Sequence, residues 1–424
     1  MQKNMGGDST HILCITGETM KKRLALLLTG LLILFVAGCA GTGNHAAGTE
    51  TDSSSEVLQS EPENGSDDGT ESGNDVWTEE LYLQKVFAEH DMKVGTCLST
   101  QMIHNEQTKQ IILDQFNSVT MENSMKPDYL FNKEESIAAG ELVVEFDKDA
   151  LEMMEFAKEN NLAMRGHTLI WYSQTPDWIF YEDFDTGKNL VGRDVMLSRM
   201  ESYIKQVFEQ LTELGYADLF YAYDVVNEAW MDDGSMRENN WSATIGDDYL
   251  WQAFYYADQY APEHIDLYYN DYNEQYKTGA LLEFVDTLKD ENGNYLIDGV
   301  GFQAHLYTGD NLNKYFRTID SISATGLKIQ ITELDVSLGT WQNTLEPTDV
   351  NLKVQGKFYY DLVNGLFERK DAGTLSMDSL TFWGFADELS WRKEASPLLF
   401  DQNYQPKYSF FGAMQMKERA GLGQ

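Results

Sequence analysis

Eight times from about residue 78 onward, a short run of β-branched and aromatic residues is followed by a longer stretch with helical spacing. The strand candidates are "MKVGTCL" (92–98), "NSVTMENSMKPD" (117–128), "LAMRGHTLIW" (162–171), "LFYAYDVV" (219–226), "IDLYYNDYN" (265–273), "GVGFQAHLY" (299–307), "LKIQITELDV" (327–336) and "SLTFWGFADELSW" (379–391). Helix candidates separate them, among them "TKQIILDQF" (108–116), "RMESYIKQVFEQLTEL" (199–214) and "LNKYFRTIDSIS" (312–323). Apolar strands joined by helix-length crossovers imply parallel neighbours. Eight such units in roughly 340 residues fit one closed sheet. The predicted fold is therefore α/β, an eight-stranded (β/α) TIM barrel in a single domain. A doubly wound open sheet is the alternative, but no Gly-rich phosphate loop follows the first strand to favour it.

Polar groups recur where these runs end: Glu122 and Asn123, His167 closing the third, Asn227 and Glu228, Asn270, Gln303 and His305, Glu333, and Trp383. The strand ends of a parallel barrel share one mouth, so residues far apart in sequence meet there. Taken singly, each Glu reads as an ordinary surface side chain. Taken together, Glu228 after the fourth strand and Glu333 after the seventh make the carboxyl pair that cleavage of a glycosidic bond requires. A metal centre is the rival use of clustered Glu, Asp and His. No HExxH and no tight carboxylate–His spacing occurs, so neither a metal nor a cofactor is expected. The aromatic content of 12%, with nine Trp, leaves rings on which the CH faces of neutral sugars can stack. A formal charge of -38 argues against nucleic acid or anionic lipid as an electrostatic partner.

The stretches "ENSMKPD", "RGHTLIWYSQTPDW", "DVVNEAW", "YYNDYN", "GFQAHLY", "ITELDV", "FWGFADELSW" and "PLLFDQNYQPK" occur in order between residues of about 80 and 418. This set resembles glycoside hydrolase family 10, the retaining endo-β-1,4-xylanases. The resemblance implies Glu228 as acid/base and Glu333 as nucleophile. It makes Asn227 the partner of the sugar 2-hydroxyl, and His305 the partner of the nucleophile with Asp335 behind it. Glu122, Asn123, Lys126, His167, Trp171, Gln174, Asn270, Tyr272, Gln303, Trp383 and Trp391 are implied as substrate-binding residues, the last two as platform and roof over the reacting sugar. The implied ligands are xylan and xylo-oligosaccharides. Two positions depart from the family pattern: Pro127 stands where Trp is usual and Tyr172 where His is usual. Both bear on the shape of the cleft. A hydrolase of β-1,3-xylan or a β-glucan, and a non-catalytic sugar-binding lipoprotein, stay open as alternatives.

Upstream, "MKKRLALLLTGLLILFVAGC" (20–39) has a basic start and an apolar run too short to span a membrane comfortably. Its ending "VAGC" resembles a bacterial lipobox. Residues 1–19 are expected to be a non-structural extension and 20–38 a lipoprotein signal peptide. The segment 39–77 is expected to be a lipidated Cys39 with a disordered acidic linker, 78–418 the catalytic barrel and 419–424 a tail. The expected location is the bacterial cell surface, on the outer face of the cytoplasmic membrane, with some protein secreted. Lipid is the expected membrane contact and a monomer the expected state. Cys97, alone beside an apolar strand, is expected in the core.

Overall fold

In a computed structural model the described residues are 81–423. Cys39 and the expected signal and linker segments lie outside them. The barrel strands are β1 (Lys93–Leu98), β2 (Ser118–Met121), β3 (Ala163–Trp171), β4 (Phe220–Asn227), β5 (Asp266–Asp271), β6 (Gly299–Phe302), β7 (Lys328–Ser337) and β8 (Met377–Phe382). Each pairs in parallel with the next, and β8 pairs with both β7 and β1. The sheet is closed. A short strand, His305–Tyr307, resumes after β6 and pairs with the upper part of β7. The break between them falls at Ala304, which has a φ of 60°.

The outer layer consists of α1 (Glu106–Gln115), α2 (Lys148–Glu159), α3 (Arg193–Glu213), α4 (Tyr249–Tyr260), α5 (Glu274–Thr287), α6 (Leu312–Ser323), α7 (Asp349–Asp371) and α8 (Tyr408–Ala413). Their faces follow from spacing. In α6 the buried residues are Tyr315, Thr318, Ile319 and Ile322, one stripe of a 3.6-residue repeat. Side chains of Asn105, Asp147, Asn311 and Thr348 accept backbone N–H groups at the starts of α1, α2, α6 and α7. Strands covered on both faces need no alternation, and all of β7 after Lys328 is buried. Cys97 on β1 is buried as expected, and burial pushes its thiol up well above the usual range.

The barrel interior carries a charged layer beneath the mouth. Arg165 on β3 grips Asp224 on β4 through two hydrogen bonds of 2.7 and 3.1 Å, and its Nε donates to Gln330 on β7 at 2.6 Å. All three side chains are fully buried. Such a layer is strongly destabilising to break, because the remaining partner becomes an uncompensated buried charge. Here it also forms the floor of the functional site, since Asp224 Oδ2 lies 2.9 Å from His167 Nδ1.

Four expectations change. The third run does not end at His167, since β3 continues to Trp171. The pairing with β4 shifts register between His167 and Ile170, and an irregularity of this kind re-aims a side chain while the strand goes on. The second run is a strand only over four residues. Its tail forms a turn and a short helix, Pro127–Leu130, in which Pro127 is the first residue. A Pro is accommodated there because the first helical N–H has no intrahelical partner. The eighth run leaves the sheet after Phe382, and Trp383 and Trp391 stand on the loop beyond it. At the far end, Ala420, within the segment expected as a tail, is fully buried. It packs so close to α7 that a Cβ on Gly356 would lie 2.6 Å from its carbonyl oxygen.

Candidate active site

Glu333 lies near the top of β7, 5% exposed. Asn270, the penultimate residue of β5, donates its Nδ2 hydrogen to Glu333 Oε1 at 2.7 Å. On the other oxygen, His305 Nε2 stands 3.3 Å from Oε2. His167 Nδ1 is 4.0 Å from Oε1. Burial alone would raise this carboxyl, but His167, His305 and Lys126 outweigh it and bring its pKa down to about 2. The strand period puts Asp335 on the same side as Glu333, one layer on. Its Oδ2 meets His305 Nδ1 at 2.9 Å and accepts Trp391 Nε1 at 3.0 Å, while Oδ1 accepts Arg392 at 2.5 Å. Burial opposes charge on His305. Asp335 and Glu333, one on each ring nitrogen, prevail and hold its pKa up to about 10. The imidazolium therefore sits between two carboxylates and donates to both.

Glu228 follows the last residue of β4 with a φ of 56°, left-handed for a residue with a side chain. Its own N–H donates to the Asn270 carbonyl at 2.9 Å, which fastens the turn to β5. Holding a non-glycine residue there costs on the order of 1 kcal/mol and is sustained only by such surroundings. Two amides reach the Glu228 carboxyl: Asn227 Nδ2 at 3.3 Å and Gln303 Nε2 at 3.0 Å, both on Oε1. Asn227 Oδ1 in turn accepts from Asn270 at 3.0 Å and from Gln303 at 3.2 Å. Thr332 donates to Asn270 Oδ1 at 2.6 Å and sets which end of that amide faces Glu333. A continuous line of amides thus joins the two carboxyls, Glu333 to Asn270 to Asn227 to Gln303 to Glu228.

The other side of the mouth is a fan of donors and rings. Lys126 is 6% exposed and donates to Gln174 at 2.9 Å and to Asn123 at 3.3 Å, with its Nζ 5.1 Å from the centre of the Trp171 ring. Burial lowers its pKa, against the pull of Glu333, Glu122 and Glu228. Glu122 is raised by burial, with Lys126 working the other way. Trp383 is buried with its ring edge-on to His167 at 5.5 Å, and Trp391 stands over His305 at 5.1 Å, 62% exposed. A cleft of about 1080 Å³ runs across the mouth. Glu122, Asn123, Lys126, His167, Trp171 and Gln174 line it, as do Asn227, Glu228, Tyr272, Gln303, His305, Glu333, Trp383 and Trp391. Asn270 and Asp335 lie beneath that surface, fully buried, and act on it through Glu333 and His305. Among the described residues no group of three or more His, Cys, Asp or Glu is arranged to hold a metal ion.

The model of glycosyl hydrolase family 10 matches residues 82–416. The chain belongs to that family. It is 34% identical over 337 residues to endo-1,4-beta-xylanase B of Butyrivibrio fibrisolvens, covering 76% of this chain and 51% of that one. The chain thus spans about half the length of that relative. The crystal structure of endo-1,4-beta-xylanase from Caldicellulosiruptor owensensis superposes with a TM-score of 0.68 at 34% identity, covering 78% of this chain and 99% of that one. The CBM22-1–GH10 modules of Clostridium thermocellum endo-1,4-beta-D-xylanase 10B, complexed with xylohexaose, give 0.72 at 31% identity, covering 82% and 70%.

Against the family pattern, Tyr172 proves to be part of the cleft wall next to Glu228, and its phenol is raised, first by burial and then by that carboxyl. Arg237 was not singled out from the sequence, yet it holds three elements around the same turn. Its Nε donates to the Glu228 carbonyl at 3.1 Å, its second nitrogen donates to Tyr272 Oη at 3.0 Å, and its guanidinium stacks 4.1 Å from the Tyr172 ring centre. Nor was Glu274, whose Oε1 accepts the Gln303 N–H at 3.0 Å and whose pKa burial pushes to about 8. Asp224 was overlooked as well. Its place as the one charged residue within the run "LFYAYDVV" is the signal that could have found it, because a buried acidic residue in a barrel must have a partner.

Proposed function

We propose that this family 10 chain is a retaining endo-β-1,4-xylanase that works by double displacement. The observation that carries the proposal is the setting of Glu333: an amide, two imidazoles and Lys126 keep a buried carboxylate charged, as attack on an anomeric carbon demands. In the first step Glu333 bonds to the anomeric carbon, and the bond to the leaving sugar breaks. Glu228 gives its proton to the departing oxygen. In the second, water attacks the same carbon, Glu228 takes the proton, and the ester to Glu333 breaks. Asn227 is positioned for the 2-hydroxyl, because its amide already lies between the two carboxyls. Trp383 and Trp391 bracket the reacting ring, and Lys126, Asn123 and Gln174 meet the hydroxyls of the sugar beyond it. The relatives' names support the linkage and the sugar.

The test is proton NMR of the first-formed product from β-1,4-xylan, with β-1,3-xylan and carboxymethyl cellulose run alongside. Retention gives the β-anomer first, and β-1,4-xylan is expected to be cleaved fastest. An α-anomer would rule out double displacement, and equal rates on cellulose would remove the substrate assignment.

The role of His305 predicts a pH effect of definite sign. Its imidazolium is one of the groups holding the Glu333 pKa down, so without it Glu333 takes up a proton at higher pH. His305→Ala should raise the acid limb of the kcat/KM profile by about 1–3 units. An acid limb that stays where it is in the wild type would mean that His305 does not set the charge of Glu333.

A further inference from the structure

Next to Gln303 lies a buried group of ionisable side chains that the chemistry above does not use. Glu274 opens α5 and is 1% exposed, although most Glu side chains are solvated. Its Oε1 accepts the Gln303 N–H at 3.0 Å, a hydrogen shared with the Asp271 carbonyl at 2.8 Å. Its Oε2 is buried and has no hydrogen-bond partner among the described residues. The ammonium of Lys277, one turn on, is committed elsewhere. It donates to Asp271 Oδ1 at 2.7 Å and to the Trp230 carbonyl at 2.8 Å. Asp271 is held further by the Tyr269 hydroxyl, and from α6 Tyr315 brings a phenol that burial keeps protonated. A carboxylate with one bare oxygen is costly at such depth, and a neutral carboxyl far less so. Burial accordingly pushes Glu274 up to about 8, with the charge of Asp271 adding to the rise and the α5 backbone and Lys277 opposing it.

The residue that Glu274 holds is one on which the catalytic pair depends. Gln303 is the first residue after β6, and Ala304 beyond it has the φ of 60° that interrupts the strand. The chain is leaving the sheet there, so the direction of the Gln303 side chain depends on what fixes its own N–H. From that point its Nε2 reaches Glu228 Oε1 at 3.0 Å and Asn227 Oδ1 at 3.2 Å.

We propose that Glu274 is a positioning residue for the acid/base, a neutral hydrogen-bond acceptor that fixes Gln303 and through it the Glu228 carboxyl. The inference rests on the role of Glu228 proposed above. A misplacement of about 1 Å in a reacting group can cost on the order of 10²-fold, so the effect is large enough to read.

The test compares Glu274→Leu, which removes the acceptor at similar size, with Glu274→Gln, which keeps a neutral one. Both are assayed on β-1,4-xylan, which needs the Glu228 proton, and on an aryl xyloside with an activated phenol, which does not. Glu274→Leu should lower kcat/KM about tenfold or more on xylan, while the first step on the aryl substrate stays within about twofold. Glu274→Gln should restore kcat/KM on xylan to within about threefold of the wild type. In a Glu228→Ala background, Glu274→Leu should cost less than about twofold further on xylan. Thermal unfolding reads the charge state without turnover. As pH rises from about 5 to about 8, the wild type should lose stability relative to Glu274→Gln, because its folded state keeps a proton that the unfolded chain gives up. A Tm difference that does not change with pH would overturn the neutral acceptor, whether or not Glu274→Leu folds. An equal loss on both substrates, the mark of a structural role, would overturn the proposal, and so would an inactive Glu274→Gln. If Glu228→Ala itself slowed both substrates alike, the acid/base reading would fall, and this inference with it.

Discussion

Glu333→Ala is expected to abolish turnover on every substrate, including aryl xylosides with the most acidic phenols, because no covalent sugar–enzyme bond can form. The loss should be on the order of 10⁵-fold or more, the scale on which removing a nucleophile is felt. Glu333→Gln should be equally inactive although it keeps the shape and can still accept from Asn270, since the amide lacks the charge that His305, His167 and Lys126 have gathered around that position. The measurement is single-turnover kinetics with an activated aryl xyloside. A burst of phenol from either variant would show that another group carries the nucleophilic role.

Glu228→Ala should instead divide substrates by their leaving group. Xylan departs as a poorly leaving sugar oxygen and needs the proton, so its hydrolysis should slow by about 10²–10⁴-fold or more. An activated phenol leaves largely unaided. The first step should therefore survive, the ester on Glu333 should accumulate, and phenol should appear in a burst. Azide needs no general base and fits the space vacated by the carboxyl, so it should restore turnover and yield a β-glycosyl azide. The configuration of that product decides the roles. A β-azide from Glu228→Ala, and an α-azide wherever azide rescues Glu333→Ala, are what these roles predict, because azide attacks the ester in the first case and the open α-face of the substrate in the second. The reverse pattern would mean that the two carboxyls have exchanged parts.

The alternation of strands and helices was legible because it is a local property. Burial on both faces writes itself into short runs rich in β-branched and aromatic residues such as "LFYAYDVV", and one-sided burial into the stripe of "LNKYFRTIDSIS". Closure of eight such units also puts Glu228 and Glu333 at one mouth without any knowledge of side-chain contacts. The sequence by itself therefore determined the barrel, the two carboxyls and most of the rings and amides around them.

What it did not determine depends on where atoms meet after closure. The line of amides from Glu333 to Glu228 joins β4, β5, β7 and the segment after β6, and no spacing along the chain encodes which oxygen each amide faces. His167 entered the site from within β3 on the same inward face as Arg165, and only the fold shows that both side chains meet Asp224 on β4. Arg237 returns from a loop to hold the carbonyl of Glu228, and a guanidinium in a polar loop looks in sequence like any solvated one. Glu274 needed the most from the tertiary structure. In sequence it is one more acidic residue at a helix start, and only the fold buries it against the Gln303 N–H. Local propensity selects the elements, but which polar groups are buried and what partners them are long-range properties, decided by closure of the barrel.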